Sequence, residues 1–234
     1  MRTLLAALLC VASSAQSGTP NAGPSFDNES LRYNINWPSG LSLGESRLTA
    51  SRSKPADGPE SLSFEFSVEA AIPGFQVLDH YRSQATPDLC SVEFGKELLH
   101  GKKKTNEKTT FGSGHDTATR ETTGGGKTEL KTPACGKDAL SFLYYVRREL
   151  AQGRLPQRQT VLFGAPYEVR IEFAGTQSIP VGDTNKEADK LLVTAKGPAS
   201  EINFEIFFLK DAARTPALVR VPLSLGAFTM ELVK

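Results

Sequence analysis

Apolar and polar residues alternate with a period of two through most of this chain. In residues 61–70, Leu62, Phe64, Phe66, Val68 and Ala70 alternate with Ser61, Ser63, Glu65, Ser67 and Glu69. This is the pattern of a strand with one face buried and the other in water. The same period runs through Leu31, Tyr33, Ile35 and Trp37, through Tyr167, Val169, Ile171 and Phe173, and through Ile202, Phe204, Ile206 and Phe208. It returns at Phe228, Met230 and Leu232. Gly, Pro, Asp and Asn clusters bracket further strand candidates at 42–51, 75–85, 91–99, 158–163, 190–196 and 217–223. About ten or more short strands in series, without intervening helices, predict an antiparallel architecture rather than a parallel βαβ sheet.

One segment breaks the alternation. Leu140, Leu143, Val146 and Leu150 fall at helical spacing, Asp138 stands where an N-cap belongs, and Gly153 stops the pattern. Arg147 and Arg148 suit the last turns of such a helix. Phe142 and Tyr145 widen its apolar face, so the helix needs a concave partner and is expected to pack against, or plug, a curved sheet. The predicted fold is therefore mainly β: a single antiparallel, strongly curved sheet or partly closed barrel with one amphipathic helix packed against it.

Two regions differ in composition. Residues 101–132 carry nine Thr and six Gly but only three clearly apolar side chains, Phe111, Ala118 and Leu130. Thr favours strands, and Gly112-Ser113-Gly114 and Gly124-Gly125-Gly126 suit turns, which predicts an excursion of solvent-facing hairpins. Its seven basic residues against four acidic ones offer a surface for an anionic or protein partner. At the N-terminus, Arg2, the apolar run 3–12 and the small residues Ser13-Ser14-Ala15 have the form of a secretory signal peptide cleaved before Gln16. The apolar run is about half the ~20 residues that span a bilayer, so no transmembrane span is expected after cleavage. Residues 16–30 read as a flexible leader and 31–234 as a single β-rich domain.

Without Arg2 the chain carries equal numbers of basic and acidic residues, 26 each, which excludes nucleic-acid binding on bulk charge. The expected location is periplasmic or extracellular, with outer-membrane association open. In such an oxidising compartment Cys90 and Cys135, 45 positions apart, are expected to form one structural disulfide. No Cys-x-x-Cys suggests a redox site.

Catalytic motifs fare poorly. Thr123-Gly124-Gly125-Gly126-Lys127-Thr128 has Glu121 where a phosphate-binding loop needs another Gly. His80, His100 and His115 are not at metal-ligand spacing, and Ser113-Gly114-His115-Asp116 is a polar turn rather than a triad. Glu65, Glu69, Glu168 and Glu172 alternate with apolar residues and are expected on the solvated outside of strands. A cell-wall polymer hydrolase built on such carboxylates ranks last, and no catalytic residue, cofactor or metal is predicted.

The run Asp138-Ala139-Leu140-Ser141-Phe142-Leu143-Tyr144-Tyr145-Val146-Arg147-Arg148 resembles the Asp-x-Leu-Ser-x-Leu-Tyr-x-x-Arg signature of the bacterial exported family called domain of unknown function 3108. Residues 31–37 with Gly44, and 216–219 with Gly226, are similar to that family's opening and closing strands. The resemblance implies an envelope-associated antiparallel β-protein and brings no activity or catalytic residues with it.

The functional expectation is a non-enzymatic binder or carrier of a lipid or other hydrophobic envelope molecule. Its candidate site residues are Phe64, Phe66, Phe142, Tyr145, Phe173, Phe204 and Phe208, all read as facing inward. The alternative is a structural or interaction protein that engages another envelope protein through residues 101–132.

Overall fold

A computed structural model describes residues 24–55, 58–72, 74–114, 116–223 and 226–233. The signal segment 1–15, leader residues 16–23 and His115 lie outside the described residues. The chain enters the sheet in its middle. From β1 (Glu29–Asn36) it meanders outward through β2 (Ser42–Ser53), β3 (Ser61–Ile72), β4 (Phe75–Ala85) and β5 (Ser91–His100). The same arm continues through β6 (Lys103–Phe111), β7 (Thr117–Thr122) and β8 (Gly126–Lys131). It then crosses to the far edge, where β9 (Lys137–Asp138) leads directly into α1 (Ala139–Ala151). β10 (Gln159–Leu162), β11 (Pro166–Val181), β12 (Thr184–Lys196), β13 (Glu201–Leu209) and β14 (Pro216–Leu223) step back toward the centre. There β15 (Gly226–Val233) pairs with β1. The described residues thus make one 15-stranded sheet, antiparallel except for β9 beside β10.

The sheet is strongly curved and unclosed. Its two arms are tied where the disulfide Cys90–Cys135 joins the start of β5 to the approach to β9. Beside it the Ser91 N–H donates to the Gly136 carbonyl at 2.9 Å. Because the strands alternate in direction, one end of the curved sheet carries the β1–β2, β3–β4, β5–β6, β7–β8, β10–β11, β12–β13 and β14–β15 turns. The β2–β3, β4–β5, β6–β7, β11–β12 and β13–β14 turns sit at the opposite end.

The helix lies inside the curve and is apolar on two flanks for a simple reason: it faces both arms. Phe142, Val146 and Leu150, one turn apart, pack with Val161, Val169, Leu191, Ile206 and Phe208 of β10–β13. On the other flank Leu140 and Tyr144 pack with Tyr33, Leu48, Phe64, Phe94 and Phe111 of β1–β6. Ile179, Val181, Ala188, Phe207 and Leu218 form a third cluster. Phe207 and Phe208 are adjacent in one strand and so point to opposite faces. The third cluster therefore covers the other side of the sheet.

Three expectations need correction. Residues 24–30 do not behave as a loose leader: Phe26 is 3% exposed within the core, and Glu29 already opens β1. The 101–132 excursion is three strands that continue the sheet, and they are not simply solvent-facing. Phe111 and Ala118 are buried and Leu130 packs against them, because alternate residues of β6–β8 face the helix side. Arg147, placed by the sequence only as a cation suited to the helix's last turns, is fully buried, for reasons given below.

Candidate functional site: an apolar cavity beneath the helix

Between α1 and the inner face of β10–β13 lies a cavity of ≈ 270 Å³. Phe142, Leu143 and Val146 form its helix side; Val161, Val169, Ile171, Val193, Phe204, Ile206 and Phe208 form its sheet side. Of the remaining lining residues, Tyr167 is the one with a polar side-chain atom. A second apolar space of ≈ 300 Å³ lies between the helix and β1–β5, lined by Tyr33, Leu48, Phe66, Tyr81, Phe94 and Met230 among others. Ala139, Leu143, Phe163, Phe204 and Ile206 line both, so the two spaces are neighbours separated by these side chains. Apolar cavities of ~150 Å³ stay dry and accept small hydrocarbons, and ligand pockets begin near ~300 Å³.

The cavity reaches the rim at one end of the sheet. Phe163, in the β10–β11 turn, and Ile202, at the start of β13, are 37% and 41% exposed while also lining it. The opposite end is plugged. There the Arg147 guanidinium donates two hydrogen bonds to the Glu29 carboxylate, at 2.7 and 2.6 Å, and one to the Ala213 carbonyl at 3.0 Å. It lies 4.7 Å from the Phe26 ring centroid and 4.8 Å from that of Tyr144. Burial works against its charge, but the bonds and charge of Glu29 more than offset this and hold the guanidinium above its ordinary pKa. The Tyr144 hydroxyl also donates to Glu29, at 2.8 Å, and burial raises its pKa.

The other end of α1 is fixed as firmly. Asp138 is fully buried; one carboxylate oxygen accepts from the Leu140 and Ser141 amides and the other from the Ser83 and Ser91 hydroxyls. Its own N–H donates to Ser91 Oγ and Ser141 Oγ, completing a capping box. Burial raises the Asp138 pKa, and the bonds from Ser83, Ser91, Ser141 and Leu140 pull against that rise. Asp138, Ser141, Tyr144 and Arg147, the polar members of the Asp-x-Leu-Ser-x-Leu-Tyr-x-x-Arg run, are thus spent on seating the helix.

The predicted site residues separate into three groups. Phe142, Phe204 and Phe208 line the first cavity, and Phe66 and Phe204 line the second. Phe64 and Tyr145 lie beside these spaces without lining either: Phe64 is wholly buried and stacks on Tyr144 with ring centroids 4.0 Å apart. Tyr145 packs between the two core clusters with Lys137 Nζ 4.8 Å from its ring centroid. Phe173 is a correction, since it is 53% exposed. It stands at a bulge between Phe173 and Thr176, beyond the stretch Tyr167–Ile171 that faces the helix, so alternation alone misplaces it. Sequence reading missed Leu143, Val146, Phe163, Tyr167 and Val193, whose apolar character was visible but whose convergence depends on the curvature of the sheet.

Polar groups elsewhere on the inner face are largely paired. Glu107 bridges Lys96 at 2.9 Å and Arg120 at 2.7 Å beneath the β10–β11 turn, and Asp79 accepts from the Tyr81 hydroxyl and pairs with His100. No group of His, Cys, Asp and Glu able to hold a metal occurs among the described residues. Glu65, Glu69 and Glu172 are exposed and Glu168 half-buried. Glu168 is held below its usual range by bonds from Thr160 and Arg158. No described helix is long and apolar enough to cross a membrane.

Comparison with known proteins places this architecture. A family model described as "Protein of unknown function (DUF3108)" matches residues 32–233, and the chain belongs to that family. No curated protein matches it. It is similar in structure to a beta-barrel-like protein of domain of unknown function DUF1849 from Brucella abortus. The TM-score is 0.56 at 10% identity, over 88% of this chain and 95% of that one, which is a likeness of fold.

Proposed function

We propose that the protein is an exported, non-enzymatic carrier that holds the hydrocarbon part of a lipid or another hydrophobic envelope molecule between α1 and the sheet. The observation that carries this reading is the continuous apolar lining of the ≈ 270 Å³ cavity, with a second apolar space of ≈ 300 Å³ beside it. Apolar surface left facing water costs roughly 25 cal/mol per Å², a cost that a bound hydrocarbon chain removes. Export is supported by the signal-like composition of residues 1–15 and by the disulfide, which belongs to an oxidising compartment.

The test is uptake of a fluorescent long-chain fatty acid by the purified mature protein, beside a cavity-filled variant. Val193→Trp adds an indole from the sheet side, where Val193 is buried against the helix. Saturable uptake by the native protein that falls at least about tenfold (1.4 kcal/mol) in a folded Val193→Trp variant supports the carrier reading. Equal weak uptake by both overturns it.

A further inference from the structure

The two ends of the sheet differ in charge and in apolar exposure, and the difference coincides with the cavity rim. On the rim end, Phe163 and Ile202 are joined by Leu41 in the β1–β2 turn and Phe75 at the start of β4, which are 62% and 44% exposed. All four stand in or next to turns; Phe163 also packs on Tyr81 and Phe94, with ring centroids 5.5 and 6.0 Å apart, while Leu41 and Phe75 leave large apolar surface exposed to water. Phe75 lies against the β5–β6 turn, because a side chain at Gly101 would meet its ring at 3.2 Å. The next residues are Lys102, Lys103 and Lys104, all exposed and in no salt bridge among the described residues. Lys196, before the β12–β13 turn, is likewise exposed and unbridged. Carboxylates near this end include Glu201 at the start of β13, to which Asn203 donates, and Glu69, Asp79 and Glu97, which line one surface hollow with Lys104; Asp79 pairs with His100 and Glu97 with Arg82. The opposite end is mixed in charge: Asp88, Asp116, Asp183 and Asp211 are exposed there, one to a turn, beside the exposed Lys54 and Lys210.

We propose that the rim end docks on an anionic phospholipid bilayer, with Leu41, Phe75, Phe163 and Ile202 entering the interface and Lys102, Lys103 and Lys104 lying over the headgroups. Charge complementarity selects this occupant: apolar turns flanked by unpaired lysines match a surface that is negative outside and apolar just beneath. The inference rests on the carrier reading, for which it supplies the partner. Cargo would enter and leave where the cavity already meets the rim, without crossing water.

Trp37 makes the test direct. It is the one tryptophan in the chain, it follows β1 and opens the Leu41 turn, and it packs edge-on against Phe228 with centroids 4.5 Å apart. The mature protein is titrated with vesicles of phosphatidylcholine alone and of phosphatidylcholine with phosphatidylglycerol, following Trp37 emission and co-sedimentation. The expected result is a blue shift and co-sedimentation with anionic vesicles only. Binding should weaken on the order of 100-fold when Lys102, Lys103 and Lys104 all become Glu, at roughly fivefold per lysine lost near an anionic surface. Leu41→Ser with Phe75→Ser should abolish the blue shift. Binding that ignores phosphatidylglycerol content or the lysines overturns the proposal. So does a concentration-dependent dimer, seen by light scattering and lost in Leu41→Ser/Phe75→Ser, in a protein that ignores vesicles. Fatty-acid uptake is measured on the same samples: uptake without vesicle binding removes docking and leaves the carrier reading, while vesicle binding without uptake does the reverse.

Discussion

Removing the Glu29 carboxylate should be among the most damaging single changes available in this protein. Glu29 is the first residue of β1, and its two oxygens hold both terminal nitrogens of Arg147, 118 positions away, at 2.7 and 2.6 Å. The Arg147 side chain has no solvent exposure and that of Glu29 has 14%. In Glu29→Ala the guanidinium keeps its bond to Ala213 but loses its counter-charge, and the Tyr144 hydroxyl loses its acceptor. Breaking a buried pair on one side costs about 3–5 kcal/mol. This is a large part of the ~5–15 kcal/mol that holds a domain together. Urea unfolding at neutral pH, with the disulfide intact, measures it. At ~2–3 kcal/mol per molar urea, the upper part of the usual range for a domain of this size, the midpoint should fall by about 1–2.5 M with an unchanged slope.

The pairing makes a sharper claim than the loss itself. Arg147→Met removes the charge that Glu29 compensates and keeps an apolar stem between Phe26 and Tyr144. The double variant Glu29→Ala/Arg147→Met should therefore be at least about 2 kcal/mol more stable than the sum of the single losses predicts. Additivity within about 0.5 kcal/mol, or a Glu29→Ala loss under about 1 kcal/mol, would refute the view that this pair plugs the closed end.

Three further outcomes follow from the same structure. Replacing Cys90 and Cys135 with Ser opens a loop of 45 residues and should cost about 4 kcal/mol in urea unfolding, and a loss under ~1 kcal/mol contradicts a role in joining the arms. Asp138 has a raised folded-state pKa, so its contribution is full below the unfolded value of about 3.9 and is lost as pH rises through the folded value. The stability of Asp138→Asn relative to the native protein should therefore climb with pH from 4 upward, and a flat or falling difference argues against it. Phe208→Ala, at a fully buried position, should cost ~3–5 kcal/mol, whereas Phe173→Ser should stay within ~0.5 kcal/mol; equal losses would mean that Phe173 is covered after all.

Much of the fold was legible because a half-buried strand writes its burial directly into the sequence. The alternation at 61–70 became β3, with Leu62 and Phe64 buried and Glu65 and Glu69 exposed, and Asp138 caps the helix that its position suggested. What stayed hidden depends on contacts between distant segments or on a break in periodicity. Nothing local to Phe26 distinguishes it from a loop residue, since its burial comes from Tyr144 and Arg147. Arg147 looks like any last-turn cation until Glu29 is brought beside it. β11 and β12 continue well past Phe173 because a bulge shifts the register and sends Ile179 and Val181 to the other face, a step that two-residue counting does not carry across. The cavity was legible only as an excess of apolar side chains. Whether those fill a space or surround one is fixed by the curvature of the sheet and the seating of α1.

The central claim is that the space beneath α1 holds a hydrophobic molecule, and native mass spectrometry of the mature protein, gently purified from its own envelope, tests it most directly. The account predicts a stoichiometric excess mass that organic extraction recovers as a lipid and that is absent from folded Val193→Trp. A clean apo mass in the native protein, unchanged after incubation with extracted envelope lipids, would contradict it.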